Sequence, residues 1–254
     1  MWLRLRQIAL VAEKLKPVEE ELCDVLGIAV AHRDPGVGNF GLENALLPVG
    51  NQIVEVVAPI QENTAGGRYL ERRGGDGGYM VITQCDDHAP RRARVEELGI
   101  RIVGQFENPE FRHMQLHPRD TGGSFFEIDE QVGPRAHDTD GPWDPAGPSW
   151  HEFRRLERVT GIAAAEVQCD DPGKIASRWS EIAEIGLTGN GDPVLPLDNA
   201  DVRFVPCTDG RPEGLGGIDV TCADPQAVLA AAEARDCRTG ESQVHLCGMR
   251  INLV

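Results

Sequence analysis

A chain of 254 residues, 41% of them hydrophobic, is long enough to bury a sizeable core as one large domain or two small ones. Its 25 basic residues against 41 acidic ones give a formal charge of −16, which repels phosphate backbones and anionic lipid surfaces and excludes nucleic acid and membranes as expected partners. No apolar run is long enough for a signal or transmembrane helix, and seven cysteines without a C-x-x-C pair suit reduced thiols better than a disulfide frame or zinc knuckle, so the expected location is the cytoplasm.

In chain order, the run around Ile8 and Leu10 predicts a strand, after which Val18, Leu22, Val25 and Leu26 recur at helical spacing with Pro17 in the first turn. Residues 28–31, 44–48 and 51–58 read as strands, the first two joined by the Gly-rich HRDPGVGNFGLE. Within that loop GVGNFG spells G-x-G-x-x-G, but a strand-like segment follows where a dinucleotide site needs a helix, so no nucleotide cofactor is expected. A second β-α-β-β-β order follows: strand 79–85, helix 89–98, then strands 100–105, 111–117 and 124–128, the last preceded by a DTGG turn. Residues 129–150 are rich in Pro, Gly and Asp without any period and predict a semi-rigid linker. Two shorter copies come next, their later strands marked by 202–205 and 244–253.

The four copies begin near Leu5, Met80, Ala164 and Gly217, and they align when Ala12, Cys85, Cys169 and Cys222 are superposed. Their unequal spacing marks a supersecondary module, not a solenoid repeat. This pairwise βαβββ pattern, with GGDGGYMVITQCDD at 74–87 and LHPRDTGG at 116–123, resembles the vicinal oxygen chelate superfamily, which includes glyoxalase I, methylmalonyl-CoA epimerase, extradiol dioxygenases and bleomycin-resistance proteins. The resemblance implies an α+β fold in which four modules form two paired, cup-shaped mixed sheets with helices outside. The expected units are 1–128, a linker over 129–156, and a degenerate second unit over 157–254.

The resemblance also implies one divalent metal ion in a cup, with one ligand in the first and one in the last strand of each module. Carried over, these positions fall on Gln7 and Glu55 in the first module, and on Met80 and Glu127 in the second. A thioether suits hard or borderline divalent ions poorly, so the expected metal set is Gln7, Glu55 and Glu127. In the second unit the first-strand positions are Ala164 and Gly217, and the last-strand positions lie around Phe204 and Asn252, with no carboxylate pair. Extradiol cleavage, which needs two histidines and a carboxylate on iron, is therefore set aside.

Glu55 lies among valines and Glu127 follows Phe125 and Phe126, surroundings that raise a carboxylate's pKa and prepare it as a base. The expected catalytic residues are Glu55, Glu127 and His117, the last alternating with Leu116 so as to share a strand face with Gln115. Gln115, Asn44 and Asn39 are the expected substrate contacts, and His113 ranks below His117. The implied function is a lyase, isomerase or epimerase that transfers a proton next to a carbonyl of a small metabolite, with or without metal. A non-catalytic small-molecule binder on the same fold is the alternative, with Trp143, Trp150, Phe125 and Phe126 as its apolar walls. Two paired units in one chain permit a monomer or a homodimer.

Overall fold

The computed structural model describes residues 1–254 and divides them between two mixed sheets. The first sheet contains β1 (Leu3–Val11), β2 (Leu42–Val49), β3 (Gln52–Pro59), β4 (Gly77–Cys85), β5 (Ile102–Glu107), β6 (Phe111–Leu116) and β7 (Phe125–Gln131). Its strand order is β2-β3-β1-β4-β7-β6-β5. β1 and β4 pair antiparallel at the centre, where the two modules meet, and each has its module's last strand parallel beside it: β3 on β1, β7 on β4. The second sheet repeats the plan with β8 (Val159–Cys169), β9 (Val194–Pro196), β10 (Asp201–Pro206), β11 (Gly214–Cys222), β12 (Gln243–Leu246) and β13 (Met249–Leu253), in the order β12-β13-β11-β8-β10-β9.

Six helices complete the chain: α1 (Leu15–Leu26), α2 (Ala65–Arg73), α3 (His88–Glu97), α4 (Pro118–Thr121), α5 (Pro172–Ala183) and α6 (Pro225–Ala234). None is long and apolar enough to cross a membrane. α1 buries Leu15, Val18, Leu22, Val25 and Leu26, the i, i+3, i+4 stripe its sequence carries, and stops where Gly27 takes the left-handed conformation. Two differences from the sequence expectation lie before β4. Residues 28–31 form no strand, only a single bridge from His32 to Leu46, because Ala31 and His32 meet β2 at one point. Conversely α2 forms where Gly66 and Gly67 depress helix propensity; Thr64 Oγ1 caps it by accepting from the Gly67 N–H at 2.9 Å, and burial of Tyr69 and Leu70 holds it down.

Strand alternation sends Leu3, Leu5, Ile8 and Leu10 of β1 into a core shared with β8, β11, α1, α5 and α6. Trp179 of α5 stacks on Phe126 of β7 at 4.3 Å between centroids and meets Phe204 of β10 edge-on, so aromatic packing joins the two units. Their backbones also approach closely. Gly248, with φ of +65°, lies where any Cβ would run into the Asp76 carbonyl; Arg211 donates to the carbonyls of Arg73, Gly75 and Asp76 across the same seam and to that of Gly248 within its own unit. The opposite, concave face of the first sheet has its own apolar lining, which includes Ala9, Val11, Leu46, Ile53, Val57 and Ile82.

The segment after β7 is folded against that concave face. Trp143 and Trp150 are each 1% exposed and pack into its lining. Arg4 donates to the carbonyls of Ala136, His137 and Asp138, and Arg6 to those of Thr139 and Gly141, so the strap is pinned by two arginines of β1. The irregular register between Leu5 and Gln7 lets Arg6 and Gln7, adjacent in sequence, both serve this side of the sheet.

Candidate active site

The register of the four central strands decides which side chains meet in the first cup. Ala9 lies opposite Glu55, Ala9 opposite Met80, and Ile82 opposite Glu127. Gln7, two residues from Ala9, shares that face, and so does Asn44 of β2, whose side chain reaches Glu55.

Glu55 is only 9% exposed and is gripped by two amides. Gln7 Nε2 donates to its Oε2 at 2.8 Å, and Asn44 Nδ2 donates to its Oε1 at 2.6 Å. Neither amide is free to turn over. The indole Nε1–H of Trp143, which can only donate, reaches Gln7 Oε1 at 2.8 Å, and the Asp34 backbone N–H reaches Asn44 Oδ1 at 2.9 Å. Each amide therefore presents N–H to the carboxylate. Burial pushes Glu55 up to about 7 against the pull of Asn44 and Gln7, and the charge of Glu127 adds to the rise.

On the other side of the central pair, Glu127 and Asp129 project two residues apart from β7 toward His113 of β6. His113 Nδ1 lies 3.3 Å from Glu127 Oε1 and 3.1 Å from Asp129 Oδ1. The Met114 backbone N–H also donates to Asp129 Oδ1, at 3.2 Å, whereas Oδ2 has no donor. Burial pulls the imidazole down, but the carboxylates of Glu127 and Asp129 outweigh it and push His113 up to about 11. Burial and the neighbouring Glu127 charge push Asp129 well above the usual carboxylate range. Phe106 stacks on the His113 ring at 5.0 Å.

Of the residues expected from sequence, the structure thus brings Gln7, Asn44 and Glu55 into one network, with Glu127 facing them across β1 and β4. Gln115 is on the same side and donates through Nε2 to Met80 Sδ at 3.1 Å. His117 is not in this group: β6 ends before it, and its Nδ1 accepts from the Arg119 N–H at 3.0 Å as the N-cap of α4. Asn39 stays exposed on the 3-10 turn Pro35–Phe40. Asp129 lies outside the residues expected from sequence and His113 ranks low among them, although the alternation of Glu127 with Asp129 and of His113 with Gln115 marks them as cup-facing. Trp143 was expected only as an apolar wall; its bond to Gln7 spans 136 residues and has no local signal.

The expected metal set fits this arrangement poorly. An ion at the four carried-over positions needs lone pairs, but Gln7 turns its N–H toward Glu55 and its oxygen toward Trp143. Met80 offers a thioether that already accepts from Gln115. Glu55 and Glu127 alone remain as oxygen donors, too few for a divalent cage.

In the second unit Glu166 lies opposite Arg203 and Asp219 opposite Asn252, as Ala9 lies opposite Glu55 and Ile82 opposite Glu127. The last-strand positions there are a guanidinium and an amide. Arg203 Nη2 bridges Glu166 at 3.1 Å and Asp219 at 2.6 Å, Arg250 pairs with Glu166 at 2.6 Å, and Asn252 donates to Asp219 at 2.7 Å. The charges satisfy one another and leave no free base.

No family model matches the sequence. An ethylmalonyl-CoA/methylmalonyl-CoA epimerase of Cereibacter sphaeroides is 24% identical over 132 residues, which cover 50% of this chain and 97% of the relative. Methylmalonyl-CoA epimerase from Mycobacterium tuberculosis is similar in structure over 52% of this chain and 91% of its own, at 24% identity and a TM-score of 0.45. A Streptomyces coelicolor methylmalonyl-CoA epimerase variant in complex with 2-nitronate-propionyl-CoA aligns over 51% and 98%, at 20% identity and a TM-score of 0.46. A hypothetical protein from Staphylococcus aureus matches over 100% of this chain and 99% of its own, at 12% identity and a TM-score of 0.69, which extends the likeness in fold to all four modules.

Proposed function

We propose that this chain, which carries the paired βαβββ fold of the vicinal oxygen chelate superfamily, is an epimerase or isomerase that moves a proton at the carbon next to a carbonyl. Its proposed substrate class is a small acyl thioester, the class named for the epimerase relatives. Glu55 carries the reading. A buried carboxyl near pKa 7, held in place by two amides whose orientation is fixed, is matched to proton abstraction at neutral pH.

In the proposed reaction Glu55 takes the proton from the α-carbon, and the C–H electron pair moves into the carbonyl to form an enolate. The second N–H of the Gln7 and Asn44 amides and the Gln115 amide are the donors available to the developing oxyanion. Collapse of the enolate returns the electron pair to the α-carbon, which takes a proton. Glu127, on the far side of β1 and β4, is assigned its delivery from the opposite face, passing on a proton taken from the paired His113 imidazolium, and this inverts the centre. No step passes through a metal, because the expected ligand positions do not fit one. Seven free cysteines suit a reducing, cytosolic setting for such an enzyme.

Incubation with methylmalonyl-CoA in D2O tests the proposal by deuterium entry at the α-carbon. Wild type is expected to exchange, and Glu55→Gln to lose roughly 10²–10⁴-fold in rate. Absence of exchange with wild type, or an unchanged rate in Glu55→Gln, overturns it. A binding protein without turnover is the second reading, favoured by the Trp143 indole seated on Gln7; saturable binding of the thioester without exchange selects it.

A further inference from the structure

We propose that His113 Nδ1 and the carboxylates of Glu127 and Asp129 form a binding site for a divalent first-row transition-metal ion between β6 and β7, a set that shares only Glu127 with the four positions expected from the superfamily. The inference goes beyond the proposed reaction and rests on none of its steps; the ion and the proton assigned to Glu127 compete for one carboxylate, so the metal-free protein is the form that inverts the centre.

The three ligand atoms lie within 4.8 Å of one another, a spread that one ion with bonds of about 2.0–2.2 Å spans after small side-chain adjustments. Two paired strands hold them: Gln115 faces Glu127 and Phe111 faces Gln131 in the same antiparallel ladder, which sets His113 beside Asp129. Asp129 supplies the second observation. Its side chain is fully buried, yet Oδ2 has no hydrogen-bond donor. A buried carboxylate oxygen without a partner is costly, and here it belongs to the same cluster as a second carboxylate and an imidazole. A dipositive ion satisfies the orphaned oxygen and balances both carboxylates, with the Nδ1 proton and any proton held by the carboxyl pair released to water as the groups become ligands. Two oxygens and one imidazole nitrogen suit Mn²⁺, Fe²⁺, Co²⁺ or Zn²⁺ better than Ca²⁺ or Mg²⁺. Access is open on the imidazole side, where Phe106, 49% exposed, is the stacked cover.

The site differs from the Gln7 and Glu55 network in being short of hydrogen-bond donors. Both oxygens of Glu55 accept from amides, whereas Asp129 Oδ2 accepts nothing. This difference makes a substitution test decisive. Full-length protein stripped with chelator and dialysed is titrated with Co²⁺ and with Mn²⁺, with binding read by calorimetry and elemental analysis. One equivalent is expected to bind wild type and Glu55→Gln alike, with affinity at least about tenfold weaker in His113→Gln and Asp129→Asn. Circular dichroism checks that the variants are folded. Should Asp129→Asn fail to fold, wild type suffices: Mn²⁺ is expected to broaden the NMR signals of the His113 ring strongly and those of His117 far less. No binding at millimolar metal, retained affinity in His113→Gln, or loss in Glu55→Gln overturns the site. Deuterium exchange is measured separately, so failure of the metal site and failure of the proposed reaction are distinguishable.

Discussion

Replacing Trp143 with Phe removes one N–H from the strap and tests whether that N–H sets the orientation of Gln7. Gln7 is 2% exposed, and Trp143 is the donor to its Oε1, so the variant leaves a buried acceptor unpaired at a cost of about 1–3 kcal/mol. The smaller ring also opens a void about one methylene or more in size beside Phe111, which lies 5.2 Å away edge-on, for about 1 kcal/mol. The Arg6 guanidinium, 5.5 Å from the Trp143 ring, loses a better π partner for a weaker one, at about 0.5 kcal/mol. Together these predict a loss of about 3 kcal/mol in urea unfolding and, at this chain length, a fall in Tm of about 6–12 °C. A double-mutant cycle isolates the hydrogen bond. In a Gln7→Leu background no acceptor remains to be orphaned, so Trp143→Phe is expected to cost about 1–2 kcal/mol there. Equal costs in the two backgrounds, or a loss below about 0.5 kcal/mol in wild type, would refute the argument that the strap orients Gln7 and, through it, Glu55.

Glu55 also predicts a pH dependence. Its carboxyl is raised from 4.5 to about 7, so the native state holds the proton through a range where the unfolded chain has lost it. The stability it contributes is full below about pH 4.5 and declines by about 3 kcal/mol as pH rises to 7 and beyond. Urea unfolding between pH 4.5 and 8 is expected to show this decline in wild type minus Glu55→Gln, and a flat difference contradicts it. Gly248→Ala places a Cβ against the Asp76 carbonyl at positive φ and is expected to destabilise by more than 3 kcal/mol, while Gly38→Ala, with open space around it, stays within about 1 kcal/mol; thermal melts compare them. His117→Ala loses an N-cap and is expected to cost about 0.5–2 kcal/mol while leaving deuterium exchange within threefold of wild type; a hundredfold loss of exchange would return His117 to the catalytic group.

What the sequence determined by itself is the module. Strand alternation and helical spacing are local properties, so β1, α1, β3, β4, α3 and β7 were legible from residues only a few positions apart. Gln7, Glu55 and Glu127 were placed in the cup by the resemblance to the superfamily, whose first-strand and last-strand ligand positions carry over onto them. Local reading failed where tertiary contact overrides propensity: α2 forms despite two glycines because Tyr69 and Leu70 find a surface to cover, and residues 28–31 form no strand because they meet β2 at a single bridge. His117 shows a subtler limit. Alternation extended one residue too far, and at the end of β6 its ring turned to cap a helix.

Only the tertiary structure decided the chemistry of the site. The oxygen of Gln7 faces away from Glu55 because an indole 136 residues later in the chain can only donate, and nothing in either local sequence encodes that meeting. Asp129 was visible in the alternation, but its orphaned oxygen and its closeness to His113 depend on burial across the β6–β7 ladder. In the second unit, register placed Arg203 and Asn252 where the first has Glu55 and Glu127, which turns one cup into a self-neutralised network. Periodicity tells which face of a strand a side chain takes. Proton affinity, amide orientation and lone-pair availability are set by what lies opposite, and that is a property of the assembled fold.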